Sequence, residues 1–323
     1  MNALLNKGDR MRFVLILLVV IVVLFLGSWV NHKVRLKQED ELFSAAAHLL
    51  QVNGHRLSLH VSGNSESLYT LVFMAGGGTS APILDFKTLY TLFEPGYRVV
   101  VVEKSGYGFS DIGDTSRDIA TILKESRQAL QQAGVDLHDL VLVPHSLSSL
   151  EALYWANSYP DEIAAIIGLD PAIPDIYIKK ELKYTSAYIF RFFSSSGLLR
   201  LIPPLVEQSA AIRYGALTKE EIDLYKVVFN RRTLTKPMLE EVRMITENAR
   251  KVAEVDTAQI PLLFFISDGS GTGYGKEFWQ QTLTGYVEQR GGEHVLLECS
   301  HYVHNIEYKR IHEKSVEFLE GLL

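Results

Sequence analysis

A single serine stands at the junction of two sequence patterns in residues 141–152, LVPHSLSSLEAL. An apolar run typical of a buried strand ends at Pro144-His145, and a helix-forming pattern begins directly after Ser146. A serine hydroxyl held on a strained strand-to-helix turn becomes a nucleophile once a neighbouring base removes its proton. Alternatively, Ser146 is an ordinary loop serine, because the glycines that usually flank such a turn are missing.

Three other segments that follow apolar runs contain groups that acyl chemistry could use. Residues 74–80, MAGGGTS, include three consecutive glycines, whose backbone N–H groups can come close to a substrate. Residues 102–110, VEKSGYGFS, form a second glycine-containing turn. Residues 299–304, CSHYVH, contain His301, a side chain able to act as a base, and precede a C-terminal helix pattern.

The segments that must position these residues alternate between strand and helix patterns. The predicted strands are Leu57–Val61, Leu71–Met74, Arg98–Val102, Leu140–Val143, Ile163–Leu169, Leu262–Ile266 and Val295–Glu298. Several are uninterrupted apolar runs, which predicts strands buried on both faces. Helix patterns at Ser116–Ala133 and Ser148–Ser158 lie between them and favour a parallel α/β sheet.

The pattern changes to consecutive helices without a strand signal between Pro171 and Ile260. Thr218 and Glu221 have the spacing of a capping box, and Thr235-Lys-Pro237 is a second helix start. Large apolar residues at 188–202 line a pocket, contact lipid or simply pack on the sheet. The predicted organisation is an anchor and stem at 1–40, an α/β core at 41–171 and 256–323, and a helical cap at 172–255.

Together the four chemical segments resemble the α/β-hydrolase superfamily, in its lidded esterase, lipase and proline-iminopeptidase-like branch, from residue 50 to residue 323. Residues 75–78 match the family's His-Gly-x-Gly stretch, and residues 103–110 match its Asp-Arg-x-Gly-x-Gly-x-Ser loop. Residues 144–148 match its Gly-x-Ser-x-Gly elbow, and residues 300–301 match its terminal Gly-His. Ala75, Pro144 and Ser148 depart from the family's residues. The resemblance implies an α/β-hydrolase fold, a mostly parallel sheet flanked by helices with an inserted cap.

The resemblance also implies a role for each matched residue. Ser146 corresponds to the nucleophile and His301 to the general base. The oxyanion of the tetrahedral intermediate would be bound by the backbone N–H of Leu147 and by that of Gly76 or Gly77. The expected activity is hydrolysis of an ester or small amide through an acyl-enzyme, on a small-molecule acyl substrate and without metal or organic cofactor.

The third member of the catalytic triad has two candidates. The family's usual acid follows the next-to-last strand, which favours Asp268, although it lies slightly earlier than the common spacing. Other members have the acid after the preceding strand, where this chain has Asp170. A catalytically degenerate binding protein of the same fold is the alternative function, and Pro144, Ala75 and the shifted position of the acid favour it.

A membrane segment is predicted at Phe13–Val30, FVLILLVVIVVLFLGSWV, which has no charged residue and approaches the thickness of a bilayer's hydrocarbon core. A cleaved signal peptide is the rival interpretation, but Gly27-Ser28-Trp29 is a poor cleavage site. We expect a single-pass anchor in the cell membrane that contacts the lipid bilayer through Phe13 to Val30. Basic residues flank it on both sides, so the expectation of an extracytoplasmic catalytic domain rests on the short N-terminal stub.

Composition excludes some classes of function. The 323 residues are 47% hydrophobic, enough to bury a full core, and the net charge of −6 without a basic block makes nucleic acid an unexpected partner. The single cysteine, Cys299, cannot form an internal disulfide. Zinc binding by Cys299, His301 and His304 is a further alternative that lacks a fourth ligand nearby.

Overall fold

The computed structural model describes residues 7–46, 48–179, 184–255 and 258–323. Eight strands form one sheet. In chain order they are β1 (Leu49–Val52), β2 (His55–Gly63), β3 (Thr70–Met74), β4 (Arg98–Glu103), β5 (Leu140–Pro144), β6 (Ile163–Leu169), β7 (Leu262–Ile266) and β8 (Glu293–Leu296).

The strands lie in the order β1-β2-β4-β3-β5-β6-β7-β8. β2 pairs antiparallel with β1 and β4, and every other pairing is parallel. Each residue of β3, β5 and β7 is buried, which explains why these strands are apolar runs without alternation. The parallel strands end at the same edge of the sheet and therefore bring the loops that follow them together.

Helices cover both faces of the sheet. The helices before β6 are α1 (Lys7–Gln38), α2 (Asp40–Ala45), α3 (Pro82–Asp85), α4 (Lys87–Phe93), α5 (Ile119–Gln132) and α6 (Ser149–Ser158). Those between β6 and β7 are α7 (Pro174–Ile178), α8 (Thr185–Ser195), α9 (Pro203–Glu207), α10 (Ala210–Arg213), α11 (Lys219–Arg232) and α12 (Lys236–Val255). Those after β7 are α13 (Lys276–Glu288), α14 (Val303–Ile306) and α15 (Tyr308–Glu320). One apolar cluster joins α5, α6 and α13 to the sheet, and a second joins α4 and α15 to it.

The predicted α/β fold class is confirmed, and the differences lie at the ends of elements. β1 was not among the predicted strands; its four residues, LLQV, form a partly buried edge strand that is too short to show an alternating pattern. α5 begins at Ile119 rather than Ser116, because the carboxylate of Asp118 accepts the N–H of Thr121 and caps the helix there. Pro144 is the last residue of β5, paired with Met74, where the missing N–H is tolerated.

The described residues between β6 and β7 contain no strand, as the sequence predicts. α11 begins with the predicted capping box, in which Thr218 Oγ1 accepts the N–H of Glu221 and the Glu221 carboxylate accepts the N–H of Thr218. α12 begins at Lys236 with Pro237 in its first turn. We keep the name cap for residues 172–255, whose limits as a domain remain a prediction.

α1 is one continuous helix of 32 residues, about 48 Å long at 1.5 Å per residue. Residues Arg10–Gln38 are long and apolar enough to cross a membrane, with a mean hydropathy of 3.2 in their most apolar window. The apolar side chains of this helix are largely exposed, so it is not a core helix of the α/β domain.

Candidate active site

Ser146 occupies a strained turn between β5 and α6. Its φ of 54° lies in the left-handed region, which a residue other than glycine rarely adopts. Ser148 stabilises this turn from inside, because its Oγ donates to the carbonyl of Met74 at 2.6 Å and accepts the N–H of His145 at 3.1 Å. Ser148 is the second small residue of the matched elbow, and it is fully buried, so the packing there requires a small side chain.

His301 approaches the same region from the loop after β8. Its Nδ1 lies 2.5 Å from Oδ2 of Asp170, so Nδ1 donates the hydrogen and Nε2 is left as the acceptor. The backbone N–H of His301 also donates to the carbonyl of Ser270 at 2.9 Å. These two bonds determine the position of the loop and the tautomer of the imidazole.

Asp170 is fully buried at the end of β6 and has a φ of 46°. Besides His301, three donors reach its carboxylate: the N–H of Ser267 at 2.7 Å, the Oγ of Ser267 at 2.8 Å and Nε1 of Trp279 at 2.8 Å. A buried carboxylate requires such partners, since an unpaired charge there would be costly. These hydrogen bonds hold the carboxylate in place, with Oδ2 facing His301.

Asp268, the acid favoured by the sequence, is not brought to His301. Its Oδ1 accepts the N–H of Ser270 at 2.8 Å, and its own N–H donates to the carbonyl of Cys299. The physical reason is that Asp268 lies two residues beyond the end of β7 and its carboxylate closes a turn within its own loop. Of the two candidate acids, the structure therefore brings Asp170 to the imidazole.

Ser146 and His301 line one cavity of about 270 Å³. Gly76 and Gly77 from the loop after β3, and Tyr177 from α7, line it as well. The hydroxyl of Ser146 lies close enough to the phenol of Tyr177 to influence its ionisation. Within the described residues no hydrogen bond joins Ser146 to His301.

Tyr177 was not identified from the sequence, because nothing in the local pattern of α7 distinguishes it from a packing residue. Burial raises the pKa of its phenol, Tyr274 raises it further, and the nearby Ser146 hydroxyl opposes the rise. The phenol therefore stays neutral at ordinary pH and is able to exchange hydrogen bonds with a neighbouring hydroxyl.

Gly76 and Gly77 pack directly on the Ser146 turn. A Cβ added to Gly76 would lie 2.9 Å from Nδ1 of His145 and 3.0 Å from Cβ of Ser146. A Cβ added to Gly77 would lie 2.9 Å from the end of the Leu147 side chain. The glycine loop therefore packs on the turn that carries Ser146, with Gly76 against His145 and Ser146 and Gly77 against the Leu147 side chain.

A buried histidine cluster lies beneath the cavity, and the sequence alone did not reveal it. His145 donates from Nε2 to the carbonyl of His301 at 3.0 Å, while His304 donates from Nε2 to the buried carboxylate of Asp85 at 2.8 Å. The rings of His145 and His304 lie 4.7 Å apart. Burial, then the neighbouring His301 and His304, lower the pKa of His145 well below its usual value. His304 is thus engaged with a carboxylate rather than with Cys299.

A buried charge network lies next to the cavity, at the end of β4. Lys104 contacts Glu151 of α6 at 2.5 Å and Glu241 of α12 at 3.1 Å, and Arg117 contacts Glu241 at 2.6 Å. Burial alone would lower the pKa of Lys104, but Glu151 and Glu241 outweigh it and raise the pKa. The network joins the helix behind Ser146 to the last helix of the cap.

Glu103 precedes Lys104 and takes the place of the acidic residue of the family's loop. Its carboxylate accepts the N–H of Phe109 at 2.7 Å and that of Ile83 at 3.2 Å. Burial raises the pKa of Glu103 to about 7, although these two N–H groups act in the opposite direction. A Cβ on Gly108 would overlap this carboxylate, which explains the glycine at that position.

Comparison with known proteins identifies the family. A family model described as alpha/beta hydrolase fold matches residues 69–263, more than half of the chain. An uncharacterized protein of Bacillus subtilis (strain 168), YbdG, is 33% identical over 245 residues, which cover 75% of this chain and 74% of YbdG.

Solved structures share the fold at low sequence identity. Epoxide hydrolase VrEH1 from Vigna radiata superposes with a TM-score of 0.65 at 16% identity, over 85% of this chain and 98% of its own. A loop variant of the haloalkane dehalogenase DbeA from Bradyrhizobium elkanii gives a TM-score of 0.60 at 16% identity, over 86% of this chain and 97% of its own. At this identity the similarity concerns the fold and does not extend to the reaction.

Proposed function

This chain belongs to the α/β-hydrolase family, and on that premise we propose that it is a serine hydrolase that cleaves a carboxylic ester or small amide through an acyl-enzyme. The observation that supports this most is the placement of three side chains. Ser146, on a left-handed turn, shares a cavity with His301, whose Nδ1 lies 2.5 Å from Asp170. A nucleophile, a base and a carboxylate that orients the base are the groups that acyl transfer needs.

The proposed reaction begins when the Ser146 hydroxyl turns from Tyr177 towards Nε2 of His301. His301 then takes the hydroxyl proton as Oγ attacks the substrate carbonyl, and Asp170 stabilises the resulting imidazolium. The N–H groups of Leu147 and of Gly76 or Gly77 would bind the oxyanion. His301 returns the proton to the leaving alcohol or amine, and a water activated by His301 then releases the acid and restores Ser146.

The residue at position 146 separates this reaction from others on the same fold. Dehalogenase or epoxide hydrolase chemistry on this fold uses a carboxylate nucleophile, whereas this chain has a serine at the turn. The names of the structural neighbours therefore do not decide the reaction.

We also propose that α1 is an uncleaved membrane anchor and that the catalytic domain is extracytoplasmic. The end of α1 is packed against the cap: Ser28 and His32 are buried, and Arg200 binds the Glu39 carboxylate through two bonds of 2.7 Å. Cleavage after Ser28 would remove part of this packed surface. The contacts thus support retention of the helix over its removal as a signal peptide.

A binding protein without hydrolytic activity is the second candidate, and one observation favours it. Within the described residues no hydrogen bond joins Ser146 to His301, so the nucleophile and base are not connected as the reaction requires; the Ser146 hydroxyl instead lies near the Tyr177 phenol. If the hydroxyl cannot turn to His301, the cavity would bind an acyl compound without cleaving it.

A fluorophosphonate probe applied to membranes containing the full-length protein separates the two candidates. The proposed hydrolase should become labelled at Ser146, and Ser146→Ala should abolish both labelling and hydrolysis of a series of p-nitrophenyl esters, lowering turnover roughly 10⁴- to 10⁶-fold. Ser65→Ala, a change at an exposed serine, is the matched control and should behave like wild type. A folded protein that resists labelling would support the binding protein instead.

A further inference from the structure

One face of the cap exposes a cluster of large apolar side chains. On α8 the face consists of Tyr188, Ile189, Phe192 and Phe193, whose spacing places them along one side of the helix. The turn that follows α8 adds Leu201 and Ile202. Ile189 is 54% exposed and Leu201 is 62% exposed. We call these six residues the cap face; a cluster of this kind on a protein surface marks a contact site.

The cap face continues directly from the apolar surface of α1. The rings of Phe25 and Phe192 are stacked, with centroids 5.6 Å apart and planes 6° from parallel. Three residues further along α1, the hydroxyl of Ser28 donates to the carbonyl of Ser196. A Cβ added to Gly197 would lie 2.3 Å from the side chain of His32, so the two backbones are as close as glycine permits.

The depth of this contact follows from helix geometry. Phe25 lies within the apolar segment, five residues before its last residue, Val30. At 1.5 Å per residue, the ring of Phe25 is about 7 Å below the level of Val30 along the helix axis. If the segment spans the bilayer, Phe192 is therefore at the depth of the acyl chains. Trp29, which is 44% exposed, lies near the level where aromatic residues meet the headgroups.

We infer that the cap face is embedded in the lipid leaflet next to α1, so that the cap is a second membrane contact of this protein. The inference rests on the proposed role of α1 as an anchor. The occupant of the face is the bilayer itself: acyl chains against the apolar side chains, and headgroups near the level of Trp29. The cap then sits as an interfacial element beside a spanning helix.

The charges of this segment are consistent with a lipid environment. Residues 184–204 contain no acidic side chain and two cations, Arg191 and Arg200. Both cations are engaged within the protein, since Arg191 donates to the carbonyl of Leu234 at 2.8 Å and Arg200 binds Glu39. No charge of this segment therefore has to be removed from water when the cap face enters the leaflet.

The position of Leu234 connects the cap face to the glycine loop after β3. Leu234 has a φ of 49°, and its side chain end lies 3.7 Å from where a Cβ of Gly78 would be. The hydrogen bond from Arg191 of α8 to the carbonyl of Leu234 therefore links α8 to the turn that contacts the glycine loop. Contact of α8 with lipid would place the glycine loop, and with it the cavity lined by Ser146 and His301, close to the membrane surface.

Lipid-quenching measurements on the full-length protein in bilayer nanodiscs test the inference. Single cysteines at Ile189 and Leu201 are introduced in a Cys299→Ser background and labelled with bimane. The nanodiscs contain phosphatidylethanolamine and phosphatidylglycerol, with or without a phosphatidylcholine that has a nitroxide near the top of its acyl chain. Val22→Cys on α1 is the control for insertion, and Lys309→Cys, exposed on α15, is the control for water.

The expected result is nitroxide quenching of the labels at Ile189 and Leu201 to an extent comparable with Val22, and little quenching at Lys309. Quenching at Val22 alone would overturn the inference and place the cap face in water. A blue-shifted label that the nitroxide lipid does not quench would also overturn it, because a second copy would then cover the face. An unquenched label at Val22 would refute the anchor and this inference together, whereas hydrolysis is decided separately by probe labelling of Ser146.

Discussion

Asp170 Oδ2 lies 2.5 Å from Nδ1 of His301, although 131 residues separate the two in the chain. The contact joins the loop after β6 to the loop after β8, on opposite sides of β7. Asp170 is fully buried and His301 lines the cavity, so the pair links the core to the site where a substrate would bind. This contact distinguishes Asp170 from Asp268, the two acids between which the sequence does not decide.

Asp170→Asn should lower kcat for ester hydrolysis by roughly 10⁴-fold, because the imidazole loses both the charge that stabilises its protonated form and the partner that sets its tautomer. Asp268→Asn, the matched control, should stay near the wild-type rate, since its carboxylate accepts the N–H of Ser270 within its own loop. Steady-state kinetics on both variants, with circular dichroism to verify folding, provide the comparison. The opposite ranking would return the triad to Asp268.

Gly76→Ala should be more damaging than Gly77→Ala. The new methyl group at residue 76 would meet the His145 ring and the Ser146 Cβ, whereas at residue 77 it would meet the flexible end of Leu147. We expect about 1–3 kcal/mol of destabilisation at residue 76 from overpacking, and a loss of kcat of roughly 10²-fold if the oxyanion donor is displaced. Thermal unfolding and kcat measured side by side check this; equal effects at both positions would contradict it.

Glu241→Gln should lower the free energy of unfolding by about 3 kcal/mol, because it leaves the buried cations Lys104 and Arg117 short of one negative charge. Its neighbour Glu240 is half-exposed and pairs with Arg243 on the surface, so Glu240→Gln should cost less than about 1 kcal/mol. Denaturant unfolding followed by tryptophan fluorescence compares the two. A Glu241→Gln protein as stable as Glu240→Gln would show that the network adds nothing.

His145→Gln should flatten the dependence of stability on pH below about 6.5. Burial lowers the pKa of His145 in the folded protein, so between that pKa and 6.5 the unfolded chain binds a proton that the folded chain does not. The free energy of unfolding of the wild type therefore falls as pH falls below 6.5, and glutamine removes this contribution while keeping a donor for the carbonyl of His301.

The measurement for His145 is the difference in Tm between wild type and variant, followed from neutral to mildly acidic pH. The difference should shift in favour of the variant as pH falls. Parallel curves would mean that His145 titrates normally in the folded protein.

Local features were predictable because their physical causes lie within a few residues. The strands β3, β5 and β7 are apolar runs because both of their faces are buried, and that need is visible in the sequence itself. The capping box at Thr218 and the helix start at Pro237 likewise depend on neighbouring backbone groups. The short edge strand β1 escaped prediction, since four residues are too few to show an alternating pattern.

The sequence by itself determined the sheet, the glycine loop, the serine turn and the apolar length of α1. Only the tertiary structure decided that His301 meets Asp170, that Tyr177 shares a cavity with Ser146, and that Phe192 stacks on Phe25. Backbone conformation and burial follow from residue types over a short span, whereas a contact between side chains more than a hundred residues apart depends on how several packed elements place their ends. No local pattern contains those distances.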